Sequence, residues 1–157
     1  MSKPKPLQPG DDVPEFSTVD QQGKAYGRDS LLGTRYLLYF YPRDLTPGCT
    51  TQACDLRDVY DQFSKHQVQI FGISPDDEKS HQKFIEKYEL PFSLLVDTGH
   101  KIACNFGVWG EKKFMGRTYD GVYRTSFLVG PDGKIEQTYE NVKVAVHAQQ
   151  VLDNLQG

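Results

Sequence analysis

Hydrophobic and polar positions follow two rhythms along the chain, and each rhythm marks an element. "RYLLYFYP" (35–42) is unbroken apolar and aromatic matter closed by proline, which predicts a strand covered on both faces. "VQIFGIS" (68–74) and "FSLLVD" (92–97) read as two further strands. From Cys49 to about Ser64, "CTTQACDLRDVYDQFS" places Ala53, Leu56, Val59, Tyr60 and Phe63 on one helical stripe facing a core. "DDEKSHQKFIEKYEL" (76–90) predicts a helix stopped by Pro91, "GHKIACNFG" (99–107) a short one, and "VAVHAQQVLDNL" (144–155) an amphipathic one. Two hairpins are expected. "FSTVDQQGKAYGRDSLLG" (16–33) turns near Gln22-Gly23, and "TSFLVG" meets "KIEQTYE" around Pro131-Asp132-Gly133.

Strands alternating with helices, then a hairpin and a final helix, argue for a three-layer α/β sandwich with a mixed central sheet. The 157 residues suit one domain, with the Pro-rich first ten expected to form a mobile lead-in. In open α/β sheets, sites gather beyond the carboxyl ends of strands, where a loop feeds a helix. The segment from Pro42 to Cys49 stands at such a place.

Composition narrows the function. Charged residues make up 25% and hydrophobic ones 38%, ordinary for a soluble globular protein. The formal net charge of −3 supplies no basic excess for nucleic acid or an anionic membrane. No stretch approaches the roughly 18 apolar residues that span a bilayer. "MSKPKPLQPGDD" lacks the apolar core of a secretory signal, so a cytoplasmic location is expected. In a reducing compartment a close cysteine pair is more often catalytic, redox-sensing or metal-binding than a structural disulfide.

That pair lies in "YPRDLTPGCTTQACDLRD" (41–58). Pro47 and Gly48 suit a tight turn that delivers Cys49 to a helix N-terminus, where orphan N–H groups and the positive dipole end favour a thiolate. Cys54 follows five positions later. In a helix the two Cα atoms stand roughly 8.5–9 Å apart, whereas a disulfide needs them within about 7 Å. A bond between them therefore demands local unwinding.

Other chemistries fit less well. Structural zinc needs four ligands at close spacing, and His66, His81, His100 and His147 are scattered; no metal or cofactor is expected. A thioredoxin-type oxidoreductase would show Cys-x-x-Cys, and here four residues intervene. Asp97-Thr98-Gly99 matches an aspartic-protease tripeptide without a second copy, and reads instead as the polar end of a strand turning into a helix. "FGVWG" (106–110) reads as a turn, with Trp109 and Phe114 as core or pocket wall. Cys104, beside Ile102, Ala103 and Phe106, reads as a small buried hydrophobe.

The segment closely resembles the active site of peroxiredoxins in the Q, or bacterioferritin comigratory protein, subfamily. Pro42, Thr46 and Cys49 fit the superfamily signature of Pro, three residues, Thr or Ser, two residues, Cys, and Cys54 supplies the subfamily's second thiol. "FGVWGEKKFMGRTYDGVYRTSFLVGPDGKI" (106–135) is also similar and contains Arg124, matching the family's active-site arginine. Gln52 stands where many members carry Glu, altering what was expected to be a helix-surface contact. The resemblance implies a thioredoxin-like fold with an N-terminal hairpin addition, in a monomer. It also implies that Cys49 attacks hydroperoxides to give a sulfenic acid, and that Cys54 condenses with it to a disulfide. Thioredoxin or a similar dithiol protein would then restore both thiols. A redox-sensing or holdase protein switched by the same disulfide is the alternative.

Ionisation alone cannot supply such catalysis. A thiol of pKa ~8.5 is about 3% ionised at pH 7, and lowering the pKa to ~6 raises this roughly thirtyfold. Enzymes commonly reach 10⁶-fold or more. The remainder must come from alignment of the O–O bond and stabilisation of charge on the departing oxygen. The resemblance gives those roles to the Thr46 hydroxyl and the Arg124 guanidinium, with Pro42 shielding the sulfur from water.

Overall fold

The computed structural model describes residues 4–156. Its centre is β3 (Arg35–Phe40), whose side chains alternate between two apolar layers. Leu37 and Tyr39, with Tyr41 just beyond, face one cluster, while Tyr36, Leu38 and Phe40 face the other. This two-sided burial is why the run from Tyr36 to Phe40 carries no charged residue. β3 pairs in parallel with β4 (Val68–Ser74), and β4 in parallel with β5 (Ser93–Val96). On its other side β3 pairs antiparallel with β8 (Thr125–Val129), which pairs antiparallel with β9 (Ile135–Tyr139). The order β5-β4-β3-β8-β9 makes a mixed sheet.

Helices α1 (Pro47–Asp58), α2 (Tyr60–Lys65), α3 (Glu78–Tyr88) and α5 (His147–Gln156) contribute to the first cluster. The opposite face is covered by α4 (Lys101–Asn105) and by the N-terminal segment through Val13 and Phe16. The expected N-terminal hairpin is β1 (Ser17–Val19) with β2 (Ala25–Gly27). Asp20 tightens its turn by accepting from the N–H groups of Gln22 and Lys24. It is tied to the sheet edge by a bridge from Asp20 to Leu95. No helix among the described residues is long and apolar enough to cross a membrane.

Several expectations change. The single helix over 49–64 is two, broken at Val59 (φ −111°, ψ 14°). The last helix starts at His147 rather than 144. Residues 109–122, whose first two belong to the "FGVWG" (106–110) read as a turn, form a hairpin of β6 (Trp109–Phe114) and β7 (Arg117–Val122). Its tip, Met115-Gly116, has both φ angles positive, at 51° and 78°, as a two-residue hairpin turn requires. Phe114 is not core or pocket wall: at 65% exposure it stands in solvent near that tip. Cys104 is exposed rather than buried, because α4 turns Ile102 and Ala103 inward and leaves the next position outside. Residues 4–10 of the expected lead-in lie against the body. The Leu7 N–H donates to Phe106 O and that of Gly10 to Ile135 O, while residues 1–3 lie outside the described part.

Candidate active site

The loop from Pro42 to Thr46 leaves β3 at its carboxyl end and feeds α1. Thr46 is the N-cap (φ −84°, ψ 155°) and Pro47 the first helical residue, where a missing N–H costs nothing. Cys49 is then in the first turn, 2% exposed, and its thiol is free. Arg124, between β7 and β8, donates from Nη2 to Cys49 Sγ at 3.4 Å. Gly48 makes room for this approach: a Cβ there would lie 3.3 Å from Arg124 Nη2.

The guanidinium is held from behind. Its Nη1 donates to Gln52 Oε1 at 2.6 Å. With the carbonyl so committed, Gln52 Nε2 faces His147 Nδ1 at 3.4 Å, and His147 Nε2 faces Ser126 Oγ at 2.8 Å. Nδ1 therefore accepts, and the hydrogen sits on Nε2. Burial, aided by the Arg124 charge, pushes the His147 pKa down to about 4, so the ring stays neutral. Gln52 is thus no surface contact: it is 1% exposed, and its neutral amide orients Arg124 without cancelling the cation's charge.

The other expected residues engage the site differently. The Thr46 hydroxyl donates to Arg43 O at 2.9 Å and caps no helical N–H. Pro42 is half-buried at the start of the loop, and Cys54 is half-buried further along α1. Asp97 does turn a strand into a helix, its carboxylate accepting from the N–H groups of Ile102 and Ala103. Burial raises its pKa despite those bonds. Cys104 lies on α4, outside this group, and partial desolvation followed by the Asp97 charge raises its thiol pKa.

Three participants were missed from sequence. Lys112 donates from Nζ to Val122 O at 2.7 Å, and burial followed by the Arg124 charge lowers its pKa. Tyr39, stacked on Tyr41 at 5.4 Å, keeps a buried hydroxyl with no partner among the described residues. Burial, then the nearby Cys49 and Asp44, pushes its ionisation far up. His147 carried no signal, being a lone histidine in a helical pattern. No group of three or more His, Cys, Asp or Glu side chains among the described residues could hold a metal ion.

A mixed sheet that presents a buried thiol in a helix's first turn, with a guanidinium on the sulfur, defines a thiol-peroxidase scaffold of thioredoxin-like design. The chain belongs to the AhpC/TSA family, whose model matches residues 9–138. It is 48% identical over 148 residues to the peroxiredoxin Bcp of Escherichia coli strain K12, covering 94% of this chain and 95% of that one. It is 41% identical over 146 residues to the peroxiredoxin Bcp of Bacillus subtilis, covering 93% of each. Among solved structures, the Xanthomonas campestris bacterioferritin comigratory protein, described in terms of alkyl peroxide reduction, superposes with a TM-score of 0.85 at 34% identity, over 90% of each chain.

Proposed function

We propose that this peroxiredoxin reduces hydrogen peroxide and organic hydroperoxides through Cys49, with Cys54 as the resolving thiol. The Cys49 thiolate attacks the terminal peroxide oxygen, the O–O bond breaks, and water or alcohol leaves after taking up a proton. Cys49 becomes a sulfenic acid. The Cys54 sulfur then attacks it, forming a disulfide and releasing water. A dithiol protein such as thioredoxin reduces that disulfide by exchange, so the cycle suits a reducing cytoplasm and needs only one chain.

The observation that carries this reading is the Arg124 Nη2 contact to a buried Cys49 Sγ at 3.4 Å. A fixed cation there stabilises the anionic sulfur and then the charge growing on the departing oxygen. Thr46, at the same mouth, can release Arg43 O and offer its hydroxyl to the peroxide. Pro42 limits water at the loop.

The test is peroxide consumption by the reduced protein with a thioredoxin system present and absent. Cys49→Ser should abolish consumption, and a variant keeping most of its rate refutes the assignment. Cys54→Ser should complete one turnover and then accumulate sulfenic acid. Normal cycling by that variant would move the resolving role elsewhere. Fast steady-state cycling also separates a peroxidase from a sensor, which need oxidise only once per signal.

A further inference from the structure

Beneath the loop that carries Thr46 and leads to Cys49 lies a polar cluster outside the reaction described above. Asp44, 5% exposed, sits midway between Pro42 and Thr46. Its Oδ1 accepts from the Tyr41 hydroxyl at 2.5 Å. Its Oδ2 accepts from Ser80 Oγ at 2.8 Å and lies 2.6 Å from His81 Nδ1. The Asp44 N–H donates to Asp76 Oδ2 at 2.8 Å, an oxygen that also accepts from Ser74 Oγ at 2.7 Å. His81, fully buried, turns its other nitrogen to Leu95 O at 2.8 Å.

Both nitrogens of His81 therefore face acceptors, so each carries a hydrogen and the ring is an imidazolium. Burial disfavours that charge, and the hydrogen bond and charge of Asp44 outweigh burial, leaving the pKa raised. The result is a dry ion pair joining α3 to the active-site loop. Buried pairs are weak evidence for stability but hold geometry firmly, since breaking one leaves an uncompensated charge. Geometry is what this loop needs. Leu45 adopts φ +64°, a left-handed conformation that strains a non-glycine residue. The next residue, Thr46, holds the N-cap position of α1 and, in the proposed reaction, offers its hydroxyl to the peroxide. A loop left free would relax Leu45 and swing Thr46 away from the helix mouth.

We infer that Asp44 and His81 are positioning residues of the peroxidase site: the buried pair clamps the loop so that Thr46 and the sulfur of Cys49 meet the peroxide in register. This rests on the peroxidase reading of Cys49. It acts through the loop backbone, and neither side chain touches the sulfur.

The experiment compares two reactions of Cys49 in the reduced protein. Peroxide reduction needs Thr46, Cys49 and Arg124 aligned, whereas alkylation by iodoacetamide needs only an accessible thiolate. His81→Gln moves the donor away from Asp44, while His81→Asn keeps one near the Nδ1 position. The single-turnover rate with hydrogen peroxide should fall at least tenfold in His81→Gln and return to within threefold of the parent in His81→Asn. The alkylation rate should change less than threefold in both.

Peroxide rates within twofold of the parent in a folded His81→Gln protein overturn the inference. So does a parallel fall of peroxide and alkylation rates, which marks a merely structural role. Should His81→Gln fail to fold, Ser80→Ala carries the test, because it removes one donor to Asp44 and no charge. A selective two- to fivefold loss of the peroxide rate is then expected, and an unchanged ratio overturns the proposal. A parent protein inert to peroxide would instead overturn the peroxidase reading itself.

Discussion

Replacing His147 with glutamine tests the relay behind Arg124 through the pH dependence of stability. In the unfolded chain a histidine titrates near 6.5, whereas in the fold His147 titrates at about 4, chiefly because burial disfavours its charged form. Between those values the unfolded chain binds a proton that the folded one refuses, so unfolding gains ground as pH falls. The contribution is fully present above pH 6.5 and is lost through the window down to about pH 4. The gap of about 2.5 pH units, at about 1.36 kcal/mol each, amounts to about 3 kcal/mol. About 2 kcal/mol of it falls between pH 7 and pH 5. The ring is 1% exposed, so solvent screening takes little away.

Urea unfolding at pH 7 and pH 5, with a reductant keeping all thiols free, measures the loss. The parent should lose that ~2 kcal/mol over and above whatever the carboxylates contribute. His147→Gln keeps a donor for Ser126 but cannot titrate, so its drop should be smaller by the same amount. His81 serves as an internal contrast. Its pKa is raised, since Asp44 outweighs the effect of burial, so its contribution is fully present below pH 6.5 and fades as pH rises through the folded value. The variant should therefore flatten the acid limb and leave the alkaline one alone. An unchanged drop between pH 7 and pH 5 would show that the ring is not held neutral, and the orientation assigned to Gln52 would fail with it.

Three other substitutions probe the site. Gly48→Ala places a Cβ 3.3 Å from Arg124 Nη2, so stopped-flow peroxide reduction should slow by roughly tenfold, since small misplacements of catalytic groups are costly. Arg124→Lys supplies a point charge that cannot bond Gln52 Oε1 and Cys49 Sγ together, and the same assay should show a loss of about 10- to 100-fold. Tyr39→Phe removes a buried hydroxyl that has no partner among the described residues. It should raise stability to urea by about 1 kcal/mol, where an ordinary truncation of a buried polar group lowers it.

What was legible from sequence were elements whose pattern is set by burial. β3 from Tyr36 to Phe40 and β4 from Ile70 to Ile73 are apolar because both their faces are covered, and α3 was legible as a helical stretch stopped by Pro91. The β6-β7 hairpin was missed because its strands pair only with each other and end in solvent, so neither alternation nor a run marks them. Asn-Gly would have announced its turn, and Met115-Gly116 does not. At the candidate site, Cys49, Cys54, Thr46, Pro42 and Arg124 were named from local spacing and resemblance, and the structure brings Arg124 onto Cys49. The residues behind them were not. Gln52 meets His147 across 95 positions of chain, and Asp44 meets His81 across 37. Such pairs exist only after the sheet has brought α3 and α5 to the helix mouth, and no local pattern encodes them.

The proposed cycle asks α1 both to hold Cys49 and to yield Cys54, and its two ends differ in a way that allows this. Upstream, the loop is pinned through Asp44 to α3, so the segment carrying Thr46 resists movement. Downstream, the helix stops at Val59, and α2 begins as a separate element with Phe63 fully buried. Unwinding can therefore be confined to the stretch from about Ala53 to Asp58, which leaves Gln52 bonded to Arg124. Its main anchors are Ala53 and Leu56, both fully buried, and the bond from Arg57 Nη1 to Tyr88 O. Exposing a leucine costs about 1.5–3 kcal/mol, and losing one hydrogen bond about 1 kcal/mol. A few kcal/mol lies within the range of local openings that a domain stable by about 5–15 kcal/mol undergoes without unfolding. The break at Val59 keeps the opening that small: a helix continuous to Lys65 would have to expose Phe63 as well.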